Sequence, residues 1–251
     1  MPSGQACPFT EWQSYKGTKL YRGAQSGAYF FSTDRIAIDA DGAPNAYHPD
    51  DVGKACHLPG KGLDCPANAG YPNTSWWNSV LAPDTHDASR AYVQTSGSWK
   101  GYFVSKTALT DPENNSEIDT ARYVDASRTP YIVFPGPFYK LDGTGKLGDL
   151  GVAYHSVTKN WIPFIVADVG PDDPLGESSI ALLKRLGGAN PNPRDGTGVA
   201  HGKVMYVVFP RSVDKRAKRW PIADQEISDA ANALLDQVGG RAVFDACAGL
   251  G

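Results

Sequence analysis

The sequence predicts a mostly β, α+β fold: one domain over residues 1–251, with a barrel-like sheet core and helices packed outside it. The six-stranded double-psi barrel is one candidate form of that core. Three observations predict this class. Short segments rich in Val, Ile, Tyr and Phe recur along the chain, with turn signals between most of them. Only two segments carry helical periodicity. The 27 Gly and 19 Pro, nearly a fifth of the 251 residues, are spread through the chain, and no repeat or low-complexity linker divides it.

Residues 29–38 (YFFSTDRIAI) alternate as a strand does. A segment dense in Gly, Pro, Asn and Asp follows, from Asp39 to about Ser89; a loop of this length inside one domain is usually functional. Further strands are expected at 91–95, 101–105, 121–125, 130–134, 148–154, 161–167 and 203–209. The first expected helix, 177–187, places Ile180, Leu183 and Leu186 on one face and ends at Gly187 and Gly188. The second, 222–238, stops at Gly239 and Gly240.

A net charge of −3 and a pI of 5.9 exclude nucleic acid as the main partner, because a nucleic-acid surface needs a basic face. The run 211–219 (RSVDKRAKR) is broken by Asp214 and reads as a solvated face. No apolar run approaches the length of a spanning helix, so no membrane partner is expected. No basic-then-apolar segment opens the chain, which fits either a removed export signal or none. Six Trp and twelve Tyr supply the flat rings that sugar-binding surfaces use.

Four cysteines allow three pairings. Cys56 and Cys65 are close enough to staple one loop, which leaves Cys7 for Cys247. Zinc binding and reduced buried thiols are the competing readings, and the spacing matches no standard zinc site. An even count, with two cysteines near opposite ends, points to an oxidising compartment and a secreted protein.

The segment 161–183 carries the most chemistry. An apolar strand delivers Asp168 near its end, and after eight intervening residues Glu177 opens the expected helix. Two carboxylates facing one cleft are what glycoside hydrolysis requires. Desolvation at the strand end would raise the Asp168 carboxyl, and a helix N-terminus would favour charged Glu177, so Asp168 is expected as acid and Glu177 as base. Both residues also suit plain turn and helix-start roles. Asp149, between two glycines, is a candidate third carboxylate in support, or a simple turn. Asp39, Asp41, Asn45, Tyr47 and His48 lie on a loop that suits sugar hydroxyls and amines, with Trp76 and Trp77 as further binding residues and Tyr71 as a possible stacking ring. Asp39-Ala-Asp41-Gly also resembles the start of a calcium loop, but Asp50 stands where the bidentate Glu belongs, so no metal is expected.

No G-x-S-x-G, H-E-x-x-H or P-loop is present, and no G-x-G-x-x-G follows a strand. The five His are scattered at 48, 57, 86, 155 and 201.

Several segments together resemble the family 75 glycoside hydrolases, the chitosanases. They are DADGAPNAYHPDD at 39–51, GLDCPANAGYP at 62–72, GYFVSKTAL at 101–109, ARYVDASRTPYIVFPG at 121–136, GDLGVAY at 148–154 and IVADVGPDDPLGESSIAL at 165–182. The resemblance spans roughly residues 29–187, and the last 60 residues match only loosely. It implies endo-acting, inverting hydrolysis of β-1,4-glucosamine linkages with no cofactor, and it places the catalytic pair on Asp168 and Glu177. The expected partner is therefore chitosan or a related amino-sugar polymer, met by a monomer. Within enzymes the alternative is a peptidoglycan hydrolase acting as a secreted antibacterial factor; outside them, it is a carbohydrate-binding module without turnover.

Overall fold

The computed structural model describes residues 7–250. Nine strands form one sheet: β1 (Phe9–Tyr15), β2 (Thr18–Gly23), β3 (Tyr29–Thr33), β4 (Ala37–Asp39), β5 (Tyr131–Pro135), β6 (Leu150–His155), β7 (Trp161–Gly170), β8 (Glu177–Ser179) and β9 (Val204–Phe209). Their order is β1-β2-β3-β9-β6-β7-β5-β8-β4. The fold is thus α+β and mostly β, as expected, but the sheet stays open, with β1 and β4 as its edges, and the expected barrel does not close.

Pleating sorts the side chains into two cores. On one face Tyr131, Val133, Ile165, Ala167 and Val207 pack under α3 (Asp224–Gln237) and α4 (Gly240–Cys247), through Ile227, Leu235 and Phe244. On the other, Ile132, Phe134, Phe164, Val166 and Tyr206 pack against Phe138 of α1 (Gly136–Tyr139) and Leu182 and Leu183 of α2 (Ile180–Arg185).

The long apolar runs form strands where expected, as β5, β6, β7 and β9. Three expectations are corrected. Residues 29–38 split into β3 and β4 around Asp34 and Arg35. The segments 91–95, 101–105 and 121–125 form only isolated bridges, Pro83 to Ala91, Val93 to Phe103, Leu81 to Ser105 and Thr110 to Tyr123, because turns interrupt them too often to propagate a ladder. The helix expected from Glu177 begins instead at Ile180. Ser179 is its N-cap, accepting from the Leu182 N–H at 3.1 Å, while Glu177–Ser179 is drawn into strand pairing with β4. The β1–β2 hairpin was not anticipated. Its turn is Lys16-Gly17, with φ of 45° and 84°, the left-handed pair that a two-residue hairpin turn demands.

Both expected cysteine pairs form, Cys7–Cys247 with an S–S distance of 2.02 Å and Cys56–Cys65 with 1.90 Å. Among the described residues, no helix is long and apolar enough to cross a membrane.

Candidate active site

The cleft is built where β7, β5, β8 and β4 lie side by side. β7 runs parallel to β5, and β4 runs parallel to β8. The β5–β7 register slips between Ile132 and Val133: Ile132 faces Val166, but Val133 faces Asp168, leaving Ala167 as the extra residue. A bulge of this kind re-aims the residues after it. By strict alternation Asp168 would share the face of Val166, in the core under α1 and α2. The bulge turns it instead to the face of Val133.

The register across β5 and β8 brings Glu177 to that same face. Ser178 pairs with Ile132 and bonds Tyr206 Oη at 3.0 Å on the opposite side, so its neighbours Glu177 and Ser179 point the other way. Asp39 pairs with Ser179 and follows it. Asp168, Glu177 and Asp39 thus line one cleft of about 580 Å³, together with Asp41, Tyr47, Asp64, Asn68, Trp76 and Asp173. Six carboxylates line it, and no Lys, Arg or His does.

Each carboxylate is held differently. Asp168, only 9% exposed, accepts the Ala108 and Val169 N–H groups at 2.9 and 2.7 Å, both on Oδ1. Its Oδ2 is left for the cleft. The loop that supplies Ala108 is itself docked on the bulge, through the Leu109 N–H to Ala167 carbonyl bond at 2.8 Å. Asp39 accepts the Asp41 N–H at 2.7 Å on Oδ1 and the Tyr131 hydroxyl at 3.0 Å on Oδ2. Asp41 accepts the Tyr47 and Ser105 hydroxyls at 2.7 and 3.1 Å. Asp64 accepts the Cys65 N–H and the Asn68 amide. Among the described residues, no hydrogen bond reaches the Glu177 carboxylate. Its Oε2 lies against Gly170, where a Cβ would come within 3.2 Å of it and 3.1 Å of Val133 Cγ1, so glycine leaves room for the carboxylate there.

Burial and mutual repulsion push these carboxyls up. Burial is the larger cause for Asp39, which rises to about 6 against the opposing pull of its two hydrogen bonds. Burial, then the charge of Asp39, takes Asp168 to about 8. Asp41 and Glu177 are raised well above the ordinary carboxyl range, again by burial first and then by Asp39 and Asp168. Glu177 is therefore held toward its protonated form, as Asp168 is. This corrects the sequence reading, which gave Glu177 the charge of a helix N-terminus; Glu177 sits on a strand three residues before the helix.

Oxygens of Asp39, Asp41 and Asp168 lie within 4.8 Å of one another, the one grouping among the described residues that could hold a metal ion. The sequence reading assigned these residues no metal.

Other expected site residues lie elsewhere. Asp149 is fully buried and accepts the Lys146, Arg211 and Val213 N–H groups at 2.7, 2.9 and 2.9 Å, so it ties two loops together and does not line the cleft. Trp77 is 8% exposed and packs edge-on against Tyr71 in the core, whereas Trp76 is 49% exposed at the cleft. Asn45 does not line the cleft; its carbonyl anchors the Leu63 N–H. His48 is turned into its own loop, where Nδ1 accepts the Asp50 N–H at 3.0 Å. Sequence reasoning missed Asp64, Asn68 and Asp173 in the cleft and the clamp behind them. There the buried Arg194 pairs with fully buried Asp51 and donates to the Leu58, Gly62 and Asp64 carbonyls.

No model of a known protein family matches the chain, and a search of curated proteins finds no match.

Proposed function

We propose that this chain is a secreted glycoside hydrolase that cleaves an amino-sugar polymer, chitosan above all, by an inverting mechanism. The observation that carries the proposal is the cleft itself: Asp168 and Glu177 on one face, six carboxylates in all, and no basic residue lining it. A lining whose charged groups, among the described residues, are all carboxylates attracts a cationic polymer and repels an anionic one. Exposed Trp76 offers a ring on which a sugar can stack. The two disulfides support an oxidising compartment. The resemblance to family 75 chitosanases supports both the substrate and the pair.

In this mechanism Glu177, holding its proton and free of competing hydrogen bonds, protonates the leaving glycosidic oxygen. Asp168 Oδ2 takes a proton from water attacking the opposite face of the sugar ring, while Oδ1 stays fixed by two N–H groups. An amine bound among Asp39, Asp41 and Asp64 favours their charged forms and that of Asp168, so a cationic substrate helps to ionise the base.

The test is product analysis after incubation with chitosan, chitin and peptidoglycan side by side. Oligomers with newly formed α-anomeric ends from chitosan are expected. Glu177→Gln and Asp168→Asn should each lower turnover by at least roughly 10²-fold with unchanged circular dichroism. Release from peptidoglycan alone would move the substrate to bacterial walls, and binding without turnover would make the chain a carbohydrate-binding module.

A further inference from the structure

We propose that the cavity at the start of α3 is a second binding site, separate from the cleft, which takes a small molecule through its carboxylate. The proposal does not depend on the hydrolase reading.

This cavity, of about 760 Å³, lies between the chain that follows β4, the segment 120–129, the end of α2 and the start of α3. It shares no lining residue with the acidic cleft. Four charged side chains line it: Asp125, Arg128, Arg185 and Asp224. Their formal charges cancel, but their commitments are unequal. Asp125 is folded onto its own turn, where Oδ1 accepts the Ser127 N–H and hydroxyl at 2.8 and 2.6 Å. Asp224 Oδ2 is taken by Arg185 Nη2 at 2.6 Å, and the same nitrogen donates to the Arg128 carbonyl at 3.0 Å. Among the described residues, no acceptor pairs with the Arg128 guanidinium. The acids are occupied and one cation is not.

Two further donors belong to the same place. Trp220 lines the cavity and is only 8% exposed, yet its indole N–H is buried with no acceptor. Buried donors are nearly always paired, so this one calls for an acceptor. The start of α3 is also uncapped. Ala223 offers no side-chain oxygen, and among the described residues nothing accepts the N–H groups of Asp224, Gln225 and Glu226. The first to find a partner is the Ile227 N–H, on the Ala223 carbonyl at 3.0 Å. First-turn N–H groups point back past the N-terminal end of a helix and favour an anion there. Ala223 and Asp224, at that end, both line the cavity.

A guanidinium, an indole N–H and an open helix start around one space suit the oxygens of an anion. The charge balance selects its class. Asp125 and Asp224 remain in the lining and oppose a second negative charge, so a carboxylate fits better than a phosphate. A neutral sugar fits less well, because the aromatic residues of the lining, Tyr123 and Trp220, are 3% and 8% exposed and offer no ring face for stacking. The volume leaves room beyond the carboxylate for the rest of a small molecule.

The experiment follows the six Trp indole N–H resonances of the native chain in proton–nitrogen correlation spectra. Acetate, glucuronate, N-acetylglycine, glucose and inorganic phosphate are added separately at constant ionic strength. Trp220→Phe identifies the resonance to watch. Acetate, glucuronate and N-acetylglycine should each shift it saturably. Whichever of the last two binds more tightly names the source of the carboxylate, a sugar acid or a peptide end, and either result supports the proposal. Arg128→Ala, at an exposed position, should weaken glucuronate or N-acetylglycine binding by about tenfold, as expected for one lost charge-assisted pair. No saturable shift with any carboxylate would overturn the proposal. So would a glucose response equal to that of glucuronate, which would make the cavity a neutral-sugar site, or tighter binding of phosphate than of any carboxylate. If Trp220→Phe does not fold, calorimetry with the tighter carboxylate decides: a Kd unchanged in Arg128→Ala overturns the assignment.

Discussion

Replacing Asp168 by Asn should stop turnover and, at the same time, stabilise the fold in mildly alkaline solution. The side chain is buried, and its carboxyl is lifted from 3.8 to about 8, by burial first and then by Asp39. Asparagine is nearly isosteric, and its oxygen can still accept the Ala108 and Val169 N–H groups, so the change removes a charge and little else. The sign follows from where the proton sits. Below about pH 4 both folded and unfolded chains hold the proton, and Asp168 costs the fold nothing. Above that, the unfolded chain releases its proton while the folded chain keeps it, so stability falls by about 1.4 kcal/mol for each pH unit. The loss is complete near pH 8, where about four units give a ceiling of roughly 6 kcal/mol. Because Asp39 and Asp41 share the repulsion, we expect a gain of at least about 2 kcal/mol in the variant, or roughly 4 °C or more in Tm for a domain of this size. Paired thermal unfolding of native and variant chains, from about pH 4 to about pH 8, reads it directly. A gain that is absent at the alkaline end, or equal at both ends, would refute the reasoning. A gain that grows with pH would mark Asp168 as a site where stability is given up for function.

Three further perturbations test the architecture around the pair. Arg194→Met leaves fully buried Asp51 with only the longer 3.5 Å pair to half-exposed Lys54 and two backbone N–H donors, and should cost about 3 kcal/mol in denaturant unfolding. A cost below about 1 kcal/mol would remove the clamp from the fold's support. Trp76→Ala should raise KM for the polymer about tenfold with kcat little changed, whereas Trp77→Ala should cost about 3–5 kcal/mol of stability; the two neighbours differ because one faces the cleft and the other the core. KM for chitosan should rise clearly with salt, since attraction by the acidic cleft is screened within about 10 Å at ~0.1 M, while KM for a neutral polymer stays flat. A flat response for chitosan would point instead to a neutral or fully acetylated substrate.

The legible parts of the fold were those whose signal is local. Ile162 to Ala167 form a long apolar run, and a strand buried on both faces has no other composition. The helix ending at Gly239 shows its period and its stop together. The cysteines announced their pairing by number and spacing. The β1–β2 hairpin escaped because its turn is Lys16-Gly17, with no Asn-Gly or Asp-Gly, and only Phe9 of β1 is buried, so its composition is mostly polar. A two-residue turn ending in glycine between Trp12-to-Tyr15 and Leu20-to-Tyr21 was the available signal. The separate fates of Trp76 and Trp77 could not be read, since adjacent residues of one type carry identical composition.

By itself, the sequence determined that Asp168 ends an apolar strand and that Glu177 follows within one short loop. It also determined that a turn-rich segment carrying Asp39 and Asp41 belongs with them. Only the tertiary structure decided which way these groups face. A single extra residue, Ala167, set against β5 turns Asp168 from the core to the cleft, and the demand of β4 for a partner keeps Glu177 in a strand and out of a helix. Those two facts replace the charged Glu177 expected at a helix start with one held toward its protonated form. The physical reason is that face and protonation state are not properties of a residue type. The first is set by register against a neighbouring strand, and the second by the burial and charges that the register brings together.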